Sequence, residues 1–442
     1  MGSGRSRHRI CNGEGVLTAE GSQQVPRKLA VVLAGGGARG AYETGVLSYI
    51  FDELTGERGR SPRVDFLCGT SVGAINCSFL ASHLEDPVQG ARRLVDVWTR
   101  MQMSDVLGFG FRQTLRLPRV LLGGDDGAGL FDVSPMADFL SKQIPWRAIS
   151  RNLRRGLLHG LSLSATEVAS GRTTLFMQLS AETPLPTRAP PRTLIRPVRI
   201  GPLHTLASAA IPLLFPPVLI DGQLYVDGAV RQSTPIAPAI RLGASHALVI
   251  GTSRAARGDS PQTSVKAPSA AFLLGKMMNA LLLDHLDSDV GTVNLLNNIV
   301  GTGEAAFGPT FDERFNSAAI RRGGHVLRPI QMLVVRPSQG IGHLAAQYVR
   351  QGRLKTGPLL TRRLFKMMDV GVGDDADLTS YFLFDGGFAR ELVELGRSDA
   401  KEMKSEILSF LESAASTEAV GLSPSHATTS DGNWSLPPDR PA

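Results

Sequence analysis

The 442-residue sequence predicts an α/β fold built around a mostly parallel sheet. Two short apolar runs, 28–34 (KLAVVLA) and 64–68 (VDFLC), are typical of buried strands, and each is followed by a helical pattern, at 41–54 and at 72–84. This order describes a β-α-β unit with a further helix. Parallel strands joined in this way end at the same edge of the sheet, where open α/β sheets bind their ligands.

The remaining elements of the first half follow in a regular order. They are a helix at 87–103, an irregular glycine-rich stretch at 104–131, a helix at 134–143, strands at 161–166 and 173–179, a helix at 203–214, strands at 218–220 and 224–226 around an Asp-Gly turn, and a buried strand at 247–251. Together with the first unit they predict one domain over 28–251.

The character of the chain changes after residue 251. The patterns are a polar stretch at 252–268, a Leu- and Met-rich helical pattern at 270–299, a late strand at 331–336, and helical patterns at 343–352, 361–370 and 379–412. They predict a mainly helical extension over 252–413, with a disordered lead at 1–27 and a disordered tail at 414–442. The Leu/Met stripe is typical of a core, and a lid over a site is the alternative.

Two motifs stand at the carboxyl ends of the first two predicted strands. Residues 69–73 (GTSVG) fit G-x-S-x-G, a tight strand-to-helix turn that exposes a serine hydroxyl, here that of Ser71, for nucleophilic attack. Residues 35–40 (GGGARG) offer a series of backbone N–H groups that suit an anion. A nucleophile beside a place for negative charge indicates acyl transfer from an ester.

The glycine loop has a second interpretation. Gly35, Gly37 and Gly40 also fit the G-x-G-x-x-G of a dinucleotide-binding turn. That fingerprint needs an acidic residue after the second strand, whereas the nearest acidic residues fall within or just after the predicted helix 41–54. Nucleotide binding is therefore the weaker hypothesis.

The serine needs a base, and histidine is the usual one. The histidines in the order of a serine–acid–histidine triad are His246, His285, His325 and His343. None of them stands in a strand-end loop, and His246 begins a strand, which places it at the edge opposite Ser71.

An aspartate at the serine's own edge is the alternative base. Asp126, Asp227 and Asp385 each precede Gly-Ala or Gly-Gly. The first lies in the glycine-rich stretch and the third within the helical pattern 379–412, whereas Asp227 ends an apolar strand (LYVDGAV). Its position favours Asp227, although an ordinary turn aspartate would look the same.

The glycine loop, the serine turn and the strand-ending Asp-Gly-Ala, in this order, resemble the patatin-like phospholipase family. Two further segments, 129–132 (GLFD) and 207–217 (ASAAIPLLFPP), are similar to that family, so the resemblance covers about 28–251. It is looser in the C-terminal half, which resembles extensions of bacterial members. The resemblance implies a three-layer α/β/α sandwich with a mostly parallel sheet and a helical C-terminal extension.

The same resemblance implies a lipid acyl hydrolase, of the phospholipase A, lysophospholipase or esterase type, that works through an acyl-enzyme. Ser71 would be the nucleophile and Asp227 its base, with no metal or other cofactor. The oxyanion hole would be formed by Gly35, Gly36 and Gly37, and the supporting residues would be Arg39, Gly40, Gly69, Gly73, Gly228 and Ala229. The alternatives are an acyltransferase or thioesterase on the same dyad and a non-catalytic membrane-surface binding module.

Charge and composition bear on partners and location. The net charge is +7, carried by 39 Arg and 8 Lys, and arginines concentrate at 147–155 and 188–199. These segments are either solvated faces or contacts for anionic lipid head groups, so we expect a lipid-ester substrate and a peripheral membrane surface as partners. Without aromatic residues interleaved among the basic ones, nucleic-acid binding is not expected.

The sequence shows neither a Sec signal peptide nor a run of about 18 apolar residues, so we expect a cytoplasmic protein or one bound peripherally to a membrane. Its three cysteines are too few for a disulfide framework, and Cys68 and Cys77 are expected to fill the core.

Overall fold

A central sheet organises the computed structural model of the chain. The structure describes residues 27–106, 129, 131–186, 189–212, 214–255, 276–277, 279–280, 285–322, 328–354 and 377–416. The strands within these ranges are β1 (Leu29–Leu33), β2 (Phe66–Thr70), β3 (Gly160–Glu167), β4 (Thr173–Leu179), β5 (Thr193–Pro197), β6 (Val218–Ile220), β7 (Gln223–Asp227), β8 (His246–Ile250) and β9 (Gln331–Val335).

The strand order is β5-β4-β3-β2-β1-β8-β9, and the five strands from β3 to β9 are parallel to their neighbours. Strand β4 is antiparallel to β3, and β5 is parallel to β4. The β6–β7 hairpin is attached where β7 pairs antiparallel with the last residues of β3. Its turn places Asp221 and Gly222 at positive φ, as the predicted Asp-Gly turn requires.

The helices of the described ranges surround this sheet. They are α1 (Gly40–Ser48), α2 (Leu54–Arg58), α3 (Val72–Ser82), α4 (Pro87–Arg100), α5 (Met103–Val106), α6 (Ser134–Gln143), α7 (Trp146–Arg154), α8 (Pro202–Ser208), α9 (Ile236–Arg241), α10 (His285–Phe307), α11 (Phe311–Arg321), α12 (Ile341–Arg350), α13 (Asp377–Phe382), α14 (Gly386–Glu402) and α15 (Lys404–Ala415).

Both faces of the sheet are covered. Alternate residues of β1 point to opposite faces: Leu29, Val31 and Leu33 belong to the core shared with α1, α3 and α14. Ala30 and Val32 belong to the core shared with α9 and α10. The predicted α/β class, with helices on both sides of a mostly parallel sheet and a helical C-terminal region, is therefore confirmed.

Several predicted elements differ in extent. The pattern 41–54 contains α1 and then a π-helical turn (Tyr49–Glu53) that leads into α2. The pattern 203–214 is helical only to Ser208. The pattern 379–412 is not one helix, because the Asp385 side chain accepts hydrogen bonds from Gly387 and Phe388 N–H and so begins a new helix, α14.

Some predictions fall outside the described residues. These are the lead (1–26), the tail (417–442), the pattern 361–370, residues 107–128 of the glycine-rich stretch, residues 256–268 of the polar stretch, and most of 270–284. The described residues of the Leu- and Met-rich pattern, 276–277, 279–280 and 285–299, are helical. No helix in the ranges that the structure describes is both long and apolar enough to cross a bilayer.

The C-terminal part of the chain packs directly against the first half. Strand β9 lies parallel to β8 and extends the sheet. Helices α1 and α14 approach so closely that a Cβ atom on Gly45 would overlap the Val393 carbonyl, and one on Gly396 would overlap the Tyr42 carbonyl. Glycine is therefore what allows these two helices to touch backbone to backbone.

We expect Gly45→Ala to destabilise the protein by about 1–3 kcal/mol, because its methyl group would push α1 and α14 apart. The control is Gly56→Ala in α2, where a Cβ meets nothing within 4 Å, so the alanine should stabilise the protein by about 0.5–1 kcal/mol. Urea unfolding measures both. Equal stability of the two variants would contradict the close packing of α1 on α14.

Candidate active site

The site forms where two strands end against each other alongside β3. Strand β2 ends at Thr70, which pairs with Ser164 of β3. Strand β7 runs in the opposite direction and ends at Asp227, which pairs with the next residue of β3, Ala165. The residue after β2 therefore meets the last residue of β7, and the Ser71 hydroxyl donates a 2.6 Å hydrogen bond to Asp227 Oδ2.

Ser71 has a strained backbone conformation, with φ 56° and ψ −125°. Such a conformation costs about 1–3 kcal/mol and persists only where the surroundings enforce it. The Ser71 N–H donates to the Ser208 hydroxyl (2.9 Å), and the Ser71 carbonyl accepts from Ala74 N–H (2.9 Å). A Cβ on Gly69 would overlap the Gly73 carbonyl, and a Cβ on Gly73 would overlap that of Leu33. The two motif glycines allow the turn to close.

Asp227 is completely buried. Its Oδ1 accepts from the Ala229 N–H (2.8 Å), while its Oδ2 accepts from Ser71. Burial raises the pKa of Asp227 from its ordinary 3.8 to about 7, although the hydrogen bonds from Ser71 and Ala229 act in the lowering direction. Position 228 has no space for a side chain, because a Cβ there would overlap the Ser164 carbonyl. A carboxylate with this pKa is a competent base near neutral pH.

The glycine loop lies beside the serine, as neighbouring parallel strands require. A Cβ on Gly35 would be 3.3 Å from that of Ser71. The Gly35 N–H donates to the Ser233 carbonyl (2.9 Å), and the Gly35 carbonyl accepts from the Thr252 hydroxyl (2.6 Å). In the part of the chain that the structure describes, no hydrogen bond uses the N–H of Gly36 or Gly37. Within the described residues, these two N–H groups therefore have no protein partner.

Arg39 does not reach the serine; it faces the C-terminal part of the chain. Its guanidinium lies 4.4 Å from the centre of the Tyr381 ring. Its Nε donates to the Ser380 hydroxyl (2.8 Å), and its Nη2 lies 3.3 Å from Asp377 Oδ1. Asp377 also pairs with Lys276 at 2.7 Å. Burial acts to raise the pKa of Asp377, but the two cations lower it below its ordinary value. Arg39 thus fixes the glycine loop to α13.

A second buried hydrogen-bond network holds the end of the glycine loop at Gly40. The Asn76 amide donates to the Gly40 carbonyl (3.1 Å) and to Glu43 Oε2 (2.8 Å), while Trp98 Nε1 donates to Asn76 Oδ1 (3.0 Å). Burial raises the pKa of Glu43 well above its ordinary value, although the hydrogen bond from Asn76 acts in the lowering direction. Gly40 itself packs on Val72, since a Cβ at Gly40 would overlap that side chain.

An apolar cavity opens from Ser71 and Gly37. It follows one face of α3 and is enclosed by α4, α6 and the residues after α8. Phe382 and Phe384, from the C-terminal part of the chain, complete its wall. The open space is about 40 Å³, which is room for about three water molecules. A larger apolar ligand would have to displace side chains as it enters.

The alternative bases lie elsewhere. His246 begins β8 and pairs with Leu29 at the start of β1, which is the edge opposite Ser71. Its Nε2 lies 3.1 Å from the Ser413 hydroxyl, and burial lowers its pKa to about 4. His343 bonds to Gln347 within α12. Asp385 caps α14 and accepts from the Tyr348 hydroxyl (2.6 Å).

Asp126, His325 and the side chain of His285 lie outside the described part of the structure. Among the described residues, no group of three His, Cys, Asp or Glu side chains could hold a metal ion. Cys68 and Cys77 are buried and form no disulfide.

The arginine-rich helix α7 lies away from Ser71. Asn152 of this helix donates to the Ala81 carbonyl at the far end of α3. Arg151 and Arg155 both pair with Glu85, whereas Arg147 and Arg154 are exposed. In the second arginine segment, residue 188 is outside the described ranges and Arg196 faces Glu167.

Sequence reasoning did not identify Ser208, the most important of the residues that hold the site. Its hydroxyl accepts from Ser71 N–H and donates to the Ser164 carbonyl (2.6 Å), so it connects the strained turn to β3. The segment 207–217 was the only signal that could have found it. Thr252 and the Glu43–Asn76 pair gave no signal stronger than a polar residue next to a motif.

The model of the patatin-like phospholipase family matches residues 31–240. Comparison with curated protein sequences gives no significant match. Among solved structures, VipD from Legionella pneumophila is 13% identical with a TM-score of 0.27, and the match covers 84% of this chain and 67% of that one.

Two further structures are similar at the same level. Human GIVD cytosolic phospholipase A2, in complex with methyl gamma-linolenyl fluorophosphonate, is 13% identical with a TM-score of 0.42, over 88% of this chain and 59% of that one. ExoU from the type III secretion system of Pseudomonas aeruginosa, in its complex with SpcU, is 16% identical with a TM-score of 0.25, over 89% and 75%.

The family match begins in β1 and ends in α9, and it includes the glycine loop, the serine turn and the strand-ending aspartate. Residues 31–240 of this chain therefore belong to the patatin-like phospholipase family.

Proposed function

We propose that this protein is a lipid acyl hydrolase, of the phospholipase A, lysophospholipase or esterase type, that uses Ser71 as nucleophile and Asp227 as base. One observation carries the proposal: the 2.6 Å hydrogen bond from Ser71 to Asp227 lies where an apolar cavity opens. The base accepts the proton, the hydroxyl attacks, and the cavity suits an acyl chain. The family match supports an ester of a lipid as the substrate class.

In the first half-reaction, the Ser71 oxygen attacks the ester carbonyl and its proton passes to Asp227 Oδ2. The carbonyl oxygen becomes an oxyanion, which in this proposal the N–H groups of Gly36 and Gly37 stabilise. One such donor is typically worth about 2.7–4 kcal/mol in the transition state. Gly35 contributes space and not a donor in this scheme, because its N–H is bonded to Ser233.

The intermediate then collapses to an acyl-enzyme, and the departing alcohol oxygen takes the proton from Asp227. In the second half-reaction, water attacks the acyl-enzyme while Asp227 accepts a proton from it. Collapse releases the fatty acid, and the proton returns to the Ser71 oxygen. The same carboxylate thus serves each step as base and then as acid, which a pKa of about 7 permits in both directions.

Two alternatives share this geometry. An acyltransferase or thioesterase would form the same acyl-enzyme, and product analysis with added alcohol acceptors distinguishes transfer from hydrolysis. A non-catalytic membrane-surface module would bind lipid without turnover. The pairing of a buried base with a strained serine favours chemistry over binding, because neither the strain nor the buried carboxyl group aids a docking surface.

Peripheral membrane contact is part of the proposal. A lipid ester resides in a bilayer or a micelle, and Arg147 and Arg154 on α7 are exposed to meet anionic head groups. Because this helix lies away from Ser71, we expect these arginines to hold the chain near a surface without contacting the ester.

We also propose that the catalytic domain ends at residue 251 and that the helical extension begins at residue 252.

We expect Ser71→Ala and Asp227→Asn each to lower kcat/KM for p-nitrophenyl acyl esters by on the order of 10³-fold or more, because the two residues act as one unit. His246→Ala should retain wild-type kcat/KM, since this histidine lies at the opposite edge. Circular dichroism checks that each variant is folded. An active Asp227→Asn together with an inactive His246→Ala would show that a histidine is the base.

We expect kcat/KM to rise about tenfold per pH unit up to about 7 and then to level off, because Asp227 must lose its proton before it can accept one from Ser71. A pH–rate profile with a neutral ester measures this, with protein fluorescence as the control for unfolding. An acid limb centred near the ordinary aspartate pKa of 3.8 would contradict the effect of burial.

We expect the double variant Arg147→Glu/Arg154→Glu to bind anionic vesicles at least about tenfold more weakly at low salt, because each basic residue near such a surface contributes about 1 kcal/mol. Arg314→Glu/Arg321→Glu on α11 makes the same charge change elsewhere and is the matched control. Cosedimentation measures binding, and ester hydrolysis should be unchanged in both. Equal binding by the two double variants would rule out α7 as the contact.

A further inference from the structure

We infer that a wall of side chains at the far end of the apolar cavity sets the length of acyl chain that this protein accepts. The inference rests on the proposed function, because it assigns the cavity to the acyl group of the ester. The distal wall consists of the residues that line both the cavity and a separate open cleft: Phe79, Val97, Met101, Phe139, Gln143 and Ile144.

The cavity has a direction, which α3 defines. Val72, Ile75 and Phe79 line it, and their spacing of three and four residues places them on one face of that helix. At a rise of about 1.5 Å per residue, the cavity extends about 12 Å along the helix from Ser71 to Phe79. An acyl chain bound to Ser71 would therefore lie along α3 with its methyl end at the distal wall.

The environment changes abruptly beyond the wall. The cleft on its other side is open and has a volume of about 890 Å³. Its charged lining residues are Arg93, Asp96, Arg100, Asp105, Asp138 and Lys142. A chain that ends at the wall stays in apolar surroundings, whereas a longer one would pass the wall and enter a charged, solvated space. That step gains little apolar burial, so the wall is an upper limit on length.

The members of the wall differ in how easily they can be changed. Phe79 is buried and its ring stacks on His83 at 4.3 Å, so its position is fixed by the fold. Phe139 of α6 and Val97 of α4 are only half-buried, and both line the cavity and the cleft. Phe139 has the larger side chain of the two. Its removal would join the cavity to the cleft with the least disturbance of the core.

The experiment compares kcat/KM for p-nitrophenyl esters from butyrate to palmitate in wild type and three variants. Phe139→Ala should move the optimum to longer chains, with a gain of about fourfold for each further methylene that finds apolar contact. Ile75→Phe, which narrows the cavity between Ser71 and the wall, should move the optimum to shorter chains. Ser141→Ala removes a side chain that lines the cleft and not the cavity, and it should keep the wild-type profile.

A second measurement does not depend on catalysis. Free fatty acids of the same lengths are titrated against each variant in the Ser71→Ala background, with displacement of a fluorescent fatty acid as the signal. If the variants shift the length preference for fatty-acid binding but no form that retains Ser71 hydrolyses an ester, the inference about the wall stands and the proposed hydrolase function is wrong. If Phe139→Ala does not fold, Phe139→Leu tests the shift to longer chains and Ile75→Phe tests the shift to shorter ones. Unchanged length profiles in both measurements would overturn the inference.

Discussion

The end-to-end meeting of β2 and β7 alongside β3 is the constraint on which the site depends. Because Thr70 and Asp227 pair with consecutive residues of β3, the residue after one strand must face the end of the other. The carbonyl of Ser164 lies at this junction, where it accepts from Ser208 and leaves no space for a side chain at position 228. A shift of one residue in either pairing would turn the aspartate away from the serine.

Burial makes the Asp227 carboxylate a stronger base, and the same burial makes the stability of the fold depend on pH. An aspartate in water is too weak a base to activate a serine, whereas one with a pKa of about 7 is matched to the task. The raised pKa contributes stability that is complete below the ordinary 3.8 and is lost as pH rises through about 7. The ionised form of Asp227, which the proposed mechanism requires, is therefore also the form that destabilises the folded protein, a trade between stability and activity that is common at functional sites.

The sequence allowed the local parts of this structure to be predicted and not the distant ones. The serine turn, the glycine loop and the hairpin turn depend on residues within a few positions of each other, and the buried strands β1, β2 and β8 were predicted from apolar runs. The choice of Asp227 needed only its place at a strand end. The contact of Arg39 with Ser380 and that of the Ser71 N–H with Ser208 could not be predicted in this way, because they join residues 341 and 137 positions apart. The split of 379–412 depended on one side chain, Asp385, acting as a helix cap.

The same long-range contacts show that residues 31–240 do not contain the whole site. The glycine loop is bounded by the C-terminal part of the chain, since a side chain at Gly37 would overlap the Tyr381 carbonyl. Arg39 is buried only because α13 covers it, and its charge is balanced there by Asp377. Phe382 and Phe384 then close the apolar cavity beside Ser71. The Ser71–Asp227 pair lies within residues 31–240, but the Tyr381 backbone beside the glycine loop and the two phenylalanines that close the cavity come from more than a hundred positions further along the chain.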